Sequence, residues 1–362
     1  MIFHFLLTFS HSAYVYKDPT KESYFVNQNQ GFMSEIGKTF RRLPDRAKGV
    51  VPDIVYTRLQ SSASIKVIFY TNSPSIDIKY DRANMWTFAM MASTGTSGLS
   101  LYAHDQDGID HFCAGEIVIN TNNGIFSYHG LPSDHDYEYH LFLTNYDQVK
   151  SLSIGVEEGS TFEFVPTYNE RPIICYGTSI THGASPSHPA MSWVNIVNRN
   201  LDYSWHNFGI MGYAMMEDSV IDFVTQEEAK VYVYDCLPNL VFQTVEHTYE
   251  RLVNGVDMTR ARYPNVPIVL VEFGMYTQEK FVQKYIDVQN NMKEASTRAW
   301  KYFNDNNYQN LYLVTHEELN YTSDDISDQV HPMDNGMMKH AKALLKPLRQ
   351  ILGLIENPSM TT

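Results

Sequence analysis

The hydrophobic pattern of this 362-residue chain changes character once, near Thr167–Arg171, and that change limits the folds open to it. Before it, short runs alternate apolar and polar residues: Ile65–Tyr70, Ile76–Tyr80, Leu99–His104, Glu116–Ile119, Tyr137–Leu143 and Phe162–Val165. Turn signals such as Asn72-Ser73-Pro74, Asp107-Gly108 and Asn122-Asn123-Gly124 lie between them. A period of two broken by frequent turns describes an antiparallel β domain over residues 14–168, most simply a β-sandwich or jelly roll. After the change, the apolar runs Ile173–Tyr176, Trp205–Ile210, Val231–Cys236, Ile268–Glu272 and Leu311–Thr315 suit strands buried on both faces. Between them, Leu240–Arg262 and Glu279–Asn304 carry apolar residues at helical spacing, Phe242, Tyr249 and Leu252 in the first and Phe281, Tyr285 and Met292 in the second. Strand and helix in alternation imply an α/β domain over residues 169–356, an open parallel sheet with helices on both sides. Chemistry in such sheets sits beyond the carboxyl ends of the strands.

Ser179 stands at such a position, in Tyr176-Gly177-Thr178-Ser179-Ile180-Thr181-His182-Gly183. The segment reads as a strand breaking through glycine into a helix. Its serine hydroxyl would be lifted off the sheet edge, and its N–H would sit at a positive helix terminus. The plainer alternative is that Ser179 only caps the helix. A serine needs a base, and Asp328-Gln329-Val330-His331-Pro332 supplies a candidate. Pro332 disfavours the helical region for His331 and holds it extended, while Asp334 is expected to N-cap the last helix. Asp328 can accept from one ring nitrogen and leave the other facing Ser179. Taken alone, Asp-x-x-His is more often a surface pair. Gly212 follows the second strand run and could present a bare N–H to an oxyanion. Asn239 follows the third and could add a side-chain amide. Each is also ordinary turn chemistry.

Composition excludes some partners. The formal charge is −14 and Lys and Arg form no run, so the basic footprint of a nucleic-acid binder is missing. Hydrophobic content of 43% suits a globular protein with a large core. Three cysteines, Cys113, Cys175 and Cys236, give no disulfide framework; a Cys175–Cys236 bridge is open, with buried free thiols the plainer reading. Met1–Phe9 is apolar and precedes Ser10-His11-Ser12-Ala13, so residues 1–13 read as the remnant of a secretory signal and the protein as exported, periplasmic, at the cell surface or extracellular. A first strand would look the same. No later segment is apolar and long enough to span a membrane. His104, Asp105 and Asp107 resemble a cation loop only faintly, and a solvated loop is expected.

In order along the chain, a serine among glycines, a glycine, an asparagine and a C-terminal Asp-x-x-His resemble the SGNH hydrolases, the GDSL-like esterase superfamily. The resemblance covers roughly Pro172–Leu354. It is closest to two-domain Bacteroidetes members, which carry Tyr-Gly-Thr-Ser-Ile-Thr-Gln-Gly, Asp-Cys-Leu-Pro-Asn and Asp-Gly-Val-His-Pro where this chain has Tyr176–Gly183, Asp235–Asn239 and Asp328–Pro332. Their N-terminal β domain bears Gly-x-Asp-Leu-Tyr, and Gly98-Leu99-Ser100-Leu101-Tyr102 looks like its counterpart. The resemblance implies a flavodoxin-like three-layer α/β/α domain around a five-stranded parallel sheet. It also implies Ser179 as nucleophile, His331 as base, Asp328 as orienter, and the Ser179 N–H, Gly212 N–H and Asn239 side chain as the oxyanion hole. Ser100 replaces the motif's Asp, His182 stands where relatives often have Gln, and His188 where Arg is common.

The expected activity is a serine esterase that removes short O-acyl groups, acetyl above all, from a small-molecule or polysaccharide ester through an acyl-serine, with no metal or cofactor. His182, Trp193 and Tyr213 are candidates for contact with substrate; core packing is the default for the last two, and His182 is also a rival base. The alternatives are a lipase or thioesterase of the same superfamily, or a carbohydrate-binding surface module with a degenerate hydrolase half. The sequence leaves oligomeric state open.

Overall fold

A computed structural model of the protein describes residues 13–83 and 86–354. The expected signal remnant, apart from Ala13, lies outside the described residues.

The N-terminal part is two antiparallel sheets. The first runs, in spatial order, Tyr14–Lys17, Val149–Glu157, Ser75–Arg82, Asn123–His129 and Glu116–Ile119. The second runs Glu163–Phe164, Lys66–Thr71, Tyr137–Phe142, Ser100–His104 and Asp110–Cys113, with Asn27–Gln28 beside Lys66–Thr71. Alternate residues of both sheets meet in one core, Ile76, Ile78 and Phe126 from the first against Val67, Phe69 and Leu141 from the second. The Asn72-Ser73-Pro74 turn joins two strands that belong to different sheets, so it is an arch and not a hairpin. Asp107-Gly108 does close a hairpin, with Gly108 at φ +78°.

The C-terminal part is a parallel sheet in the order Trp205–Gly209, Ile173–Gly177, Val231–Asp235, Ile268–Val271, Leu311–Val314. All five apolar runs are strands. Ile174, Tyr176, Tyr232 and Tyr234 face helices Asp218–Val224, Val245–Arg262 and Gln283–Asp305. Ile173, Cys175, Val231 and Val233 face Trp193–Leu201 and Asp334–Leu352. The period of two thus feeds two helical layers, giving the three-layer α/β/α sandwich. The first strand lies between the second and third, so the winding reverses at its carboxyl end, which is where a crevice opens in such sheets. Cys175 and Cys236 are free thiols. Among the described residues no helix is long and apolar enough to cross a membrane.

Two helices start later than their periodicity suggests. The side chain of Thr244 accepts the His247 N–H at 3.1 Å and fixes the start at Val245. Phe242 therefore falls on a loop, 82% exposed, and Phe281 ahead of Gln283 is 73% exposed. Both follow strand ends on the crevice side of the sheet. Asp334 is the first residue of the last helix rather than its cap, and its carboxylate accepts the Ser187 N–H at 2.7 Å.

A division at residue 168 separates the sheets but not the cores. Phe32, Ile36, Leu43, Ala47, Val51, Val55 and Leu59 lie ahead of most of the β strands, yet they pack into the core of the α/β part with Phe208, Ile210 and Phe223. Two short helices, Met33–Ile36 and Asp53–Arg58, carry them there. Burying each large apolar side chain is worth about 1.5–3 kcal/mol, so this segment represents a large share of a marginal stability. Residues 170–354 expressed alone should consequently lose cooperative thermal unfolding in calorimetry. A fragment melting within a few degrees of the intact chain would refute the shared core.

Candidate active site

Strand Ile173–Gly177 ends against a helical turn, Ser179–His182. A Cβ at Gly177 would overlap Thr181 Oγ1, so only glycine lets the chain fold back this tightly. The cap is Thr178, whose side chain accepts the Ile180 N–H at 3.3 Å while its own N–H donates to the Asp235 carbonyl at 3.1 Å. Ser179 is the first helical residue and its hydroxyl is free for other work. Gly183, at φ +100°, ends the turn.

The Asp328–His331 loop closes over this turn from the far end of the chain. Ser179 Oγ lies 2.8 Å from His331 Nε2, and His331 Nδ1 lies 2.8 Å from Asp328 Oδ2. The other carboxylate oxygen accepts the backbone N–H groups of Val330 and His331, each at 2.9 Å. The His331 carbonyl accepts the Ser327 N–H at 2.8 Å, and Ile326 bridges Pro332, so both ends of the loop are pinned. Partial burial pushes the Asp328 carboxyl up, but the hydrogen bonds from the His331 ring and from the His331 and Val330 N–H groups outweigh it and hold it well below the usual range. An ionised Asp328 accepts the hydrogen bond from Nδ1–H, which keeps the proton on that nitrogen and leaves Nε2 to accept from the serine hydroxyl.

Two residues of one cavity, Ser179 and Gly212, carry free backbone donors. Neither the Ser179 N–H nor the Gly212 N–H has a hydrogen-bond partner among the described residues. Gly212 has φ +67° and a Cβ there would meet open space, so the backbone itself faces the crevice. Asn239 lies in the turn Leu237–Leu240; one N–H of its amide donates to the Tyr213 carbonyl, and the second remains available. Ser179, Gly212, Asn239, Asp328 and His331 all line one cavity of about 390 Å³.

Three residues expected near substrate are elsewhere. His182 is 1% exposed and stacks flat on Tyr146 at 4.3 Å; its Nε2 meets Ser61 Oγ at 2.8 Å and Arg42 at 3.0 Å. Burial and the Arg42 charge push the ring far below its ordinary pKa. It is a neutral, packed imidazole facing away from the cavity, and Ser179 Oγ contacts His331 instead. Trp193 is fully buried between Trp205 and His340. Tyr213 packs on the core and offers the site only its carbonyl. Trp193 and Tyr213 are thus used in packing, their default reading, and His182 is used in a stack on Tyr146.

The opposite wall falls outside what periodicity predicts. Phe88, Met90, Met91 and Tyr146, from the N-terminal part, line the same cavity with Met211, Phe242, Tyr276 and Val330. A signal existed in Trp86-Thr87-Phe88-Ala89-Met90-Met91, an apolar run without helical or strand period. Two of the three departures from the relatives' pattern, at Ser100 and His188, also meet. Ser100 Oγ lies 2.9 Å from His188 Nδ1 and accepts the Ala190 N–H at 3.1 Å. Burial lowers His188 to about 4, so this is a neutral pair where Asp and Arg would make an ionic one. Among the described residues no cluster of His, Cys, Asp and Glu could hold a metal; Asp105 instead accepts from the Asp107 and Ile109 N–H groups and from His111.

The chain belongs to the SGNH hydrolases, the GDSL-like esterase superfamily, in its two-domain form. Residues 170–349 match the GDSL-like lipase/acylhydrolase family, and residues 14–162 match the N-terminal domain of SGNH-hydrolase-type esterases that carries the Gly-x-Asp-Leu-Tyr motif. No curated protein matches the sequence. Among solved structures, a GDSL-like lipase from Bacteroides ovatus superposes with TM-score 0.85 at 24% identity, over 95% of this chain and 99% of that one. The salicylyl-acyltransferase SsfX3 of a tetracycline biosynthetic pathway gives 0.74 at 16%, over 94% and 98%. An acetyl xylan esterase from the rumen bacterium Butyrivibrio proteoclasticus gives 0.54 at 12%, over 94% and 99%. At these identities the likeness is one of fold. The family makes the chain an ester hydrolase or acylhydrolase.

Behind Ser179, Thr181 Oγ1 donates to Asp235 Oδ2 at 2.6 Å, and burial raises that carboxyl to about 7. His340 Nε2, 3.9 Å away, is itself lowered to about 3 by burial and cannot neutralise it at ordinary pH. From about pH 4 to 7 only the folded state holds the Asp235 proton, so this group's contribution to stability falls across that interval as pH rises. Asp235→Asn, which keeps an acceptor for Thr181, should flatten the fall. Thermal unfolding of both proteins from pH 4 to 8 checks it; parallel curves would show that Asp235 is ionised in the fold.

Proposed function

We propose that the protein hydrolyses carboxylic esters through an acyl-serine on Ser179, and that its substrate is a short-chain O-acyl ester, acetyl above all, of a carbohydrate. The observation that carries the mechanism is the unbroken row Asp328–His331–Ser179, with both links at 2.8 Å, beside two unpaired backbone N–H groups. His331 Nε2 removes the hydroxyl proton as Ser179 Oγ attacks the acyl carbon. The negative oxygen that forms is met by the Ser179 and Gly212 N–H groups and the free N–H of Asn239, fixed donors that need no reorganisation. His331 returns its proton to the departing alcohol. Water then repeats the sequence, and the acid leaves. Asp328 keeps the imidazole in the required tautomer and favours its charged form during each transfer.

The carbohydrate half of the reading draws on fold neighbours named as carbohydrate esterases and acetyl xylan esterase, and on a β domain that walls the cavity. Export, expected from Met1–Phe9, suits a polymeric substrate; finding the chain uncleaved in the cytoplasm of its host would remove that support. One observation favours a second substrate. Phe88, Met90, Met91, Met211 and Val330 make the cavity apolar, with no Lys or Arg lining it among the described residues, which suits an acyl group larger than acetyl.

Ser179→Ala should reduce hydrolysis of p-nitrophenyl acetate at least ~10³-fold, and Asp328→Asn should lower kcat by about 10³–10⁴ with little change in fold. Wild-type turnover in the Ser179 variant would leave a binding module as the better description. A series of p-nitrophenyl acetate, butyrate, octanoate and benzoate separates the two substrates. The acetyl reading expects kcat/KM to fall steadily with acyl size, whereas a rise past butyrate, diminished in Phe88→Ala, selects the larger group. Each methylene in an apolar pocket is worth about 1 kcal/mol or somewhat more, so the trend is easily measured. Acetate release from acetylated glycans, followed by mass spectrometry, identifies the alcohol.

A further inference from the structure

A buried cation stands behind the oxyanion donors without a carboxylate. Arg42 is 2% exposed and forms no salt bridge among the described residues. Its Nε donates to the Ser61 carbonyl at 3.2 Å. Nη1 donates to the carbonyls of Asn207 at 2.8 Å and Gly209 at 3.0 Å. Nη2 reaches the Arg58 carbonyl at 3.2 Å, Ser61 Oγ at 2.7 Å and His182 Nε2 at 3.0 Å. Burial lowers the guanidinium to about 9, which still leaves it charged at neutral pH. An unpaired ion is expensive to bury, so packing alone is a poor reason for its presence.

Its acceptors lie on the two segments that carry the backbone donors. Asn207 and Gly209 end the second parallel strand, and Gly212 follows three residues later. His182 ends the helical turn whose first residue is Ser179. These segments also touch directly, since a Cβ at Gly209 would collide with the His182 backbone, and the Asn207 side chain donates to the Thr181 carbonyl at 2.9 Å. The guanidinium is planar and rigid, so it fixes the relative placement of everything it bonds. Arg42 itself comes from the N-terminal segment that enters the α/β core.

We propose that Arg42 is a positioning residue that holds the Ser179 turn and the Gly212 loop in register, so that both N–H groups converge on one oxyanion. This rests on the acyl-serine reading above. A misplacement of about 1 Å at such a site is worth ~10²-fold in rate, while substrate binding by the cavity walls is untouched.

The test is the second-order rate at which an alkyl fluorophosphonate labels the intact chain, with the labelled residue located by mass spectrometry and with kcat and KM for p-nitrophenyl acetate. Arg42→Met should label Ser179 roughly 10- to 100-fold more slowly and lose kcat by a similar factor, with KM within about threefold and cooperative unfolding retained. Arg42→Lys, which keeps the charge but not the fork, should recover only part of the loss. Should Arg42→Met not fold, His182→Phe keeps the stack on Tyr146 and removes one acceptor; it should show the same kcat-only loss in smaller measure. Folded variants that label at the wild-type rate, or that lose KM as much as kcat, would overturn the assignment of Arg42. Failure of the wild type to label at Ser179 would instead overturn the acyl-serine reading.

Discussion

The site depends on one bend. The first parallel strand must leave the sheet within two residues, because the helical turn that begins at Ser179 is packed against the strand's last residue. Gly177 permits that contact because no Cβ stands between it and Thr181. The bend places a hydroxyl and a free N–H at the point where the winding of the sheet reverses. Neighbouring strands are in contact only with its two sides, so the space above it stays open as the cavity. The Asp328–His331 loop, Gly212 and Asn239 are then positioned around a fixed point.

What distinguishes the imidazoles of this protein is their partners and not their sequence neighbourhood. His182 is three residues from Ser179, yet burial and a guanidinium keep it neutral and turned away. His188 and His340 are likewise held neutral by burial. His331 is 152 residues from Ser179 and has an ionised carboxylate on its outer nitrogen. A base must gain a proton and lose it again, which is possible only where the charged form has support. The same reasoning separates Asp328, ionised by donors on both oxygens, from Asp235, whose carboxyl burial raises to about 7.

The N-terminal part is more than an appended module. Its segment Phe32–Leu59 supplies apolar side chains to the α/β core and delivers Arg42 behind the site, and its loop Phe88–Met91 forms a wall of the cavity. Contacts of the first kind bear on whether the hydrolase part folds. Contacts of the second kind bear on which ester fits. The Ser100–His188 pair links the two parts with a neutral hydrogen bond.

Periodicity in the chain was enough for the five parallel strands, the two helical layers and the antiparallel character of the first half, because alternation and helical spacing are local consequences of which face is buried. The flanking glycines of Ser179 and the proline after His331 were legible for the same reason, since backbone restraints act on neighbours. Tertiary structure alone decided which histidine meets the serine, that Trp193 is core, that Phe242 and Phe281 leave their helices for the cavity side, and that the segment Phe32–Leu59, far upstream of every parallel strand, belongs to the hydrolase core. These are outcomes of burial and of partners distant in sequence. No window along the chain contains both members of such a pair, and the energy of an ion or an aromatic ring depends on what surrounds it more than on what precedes it.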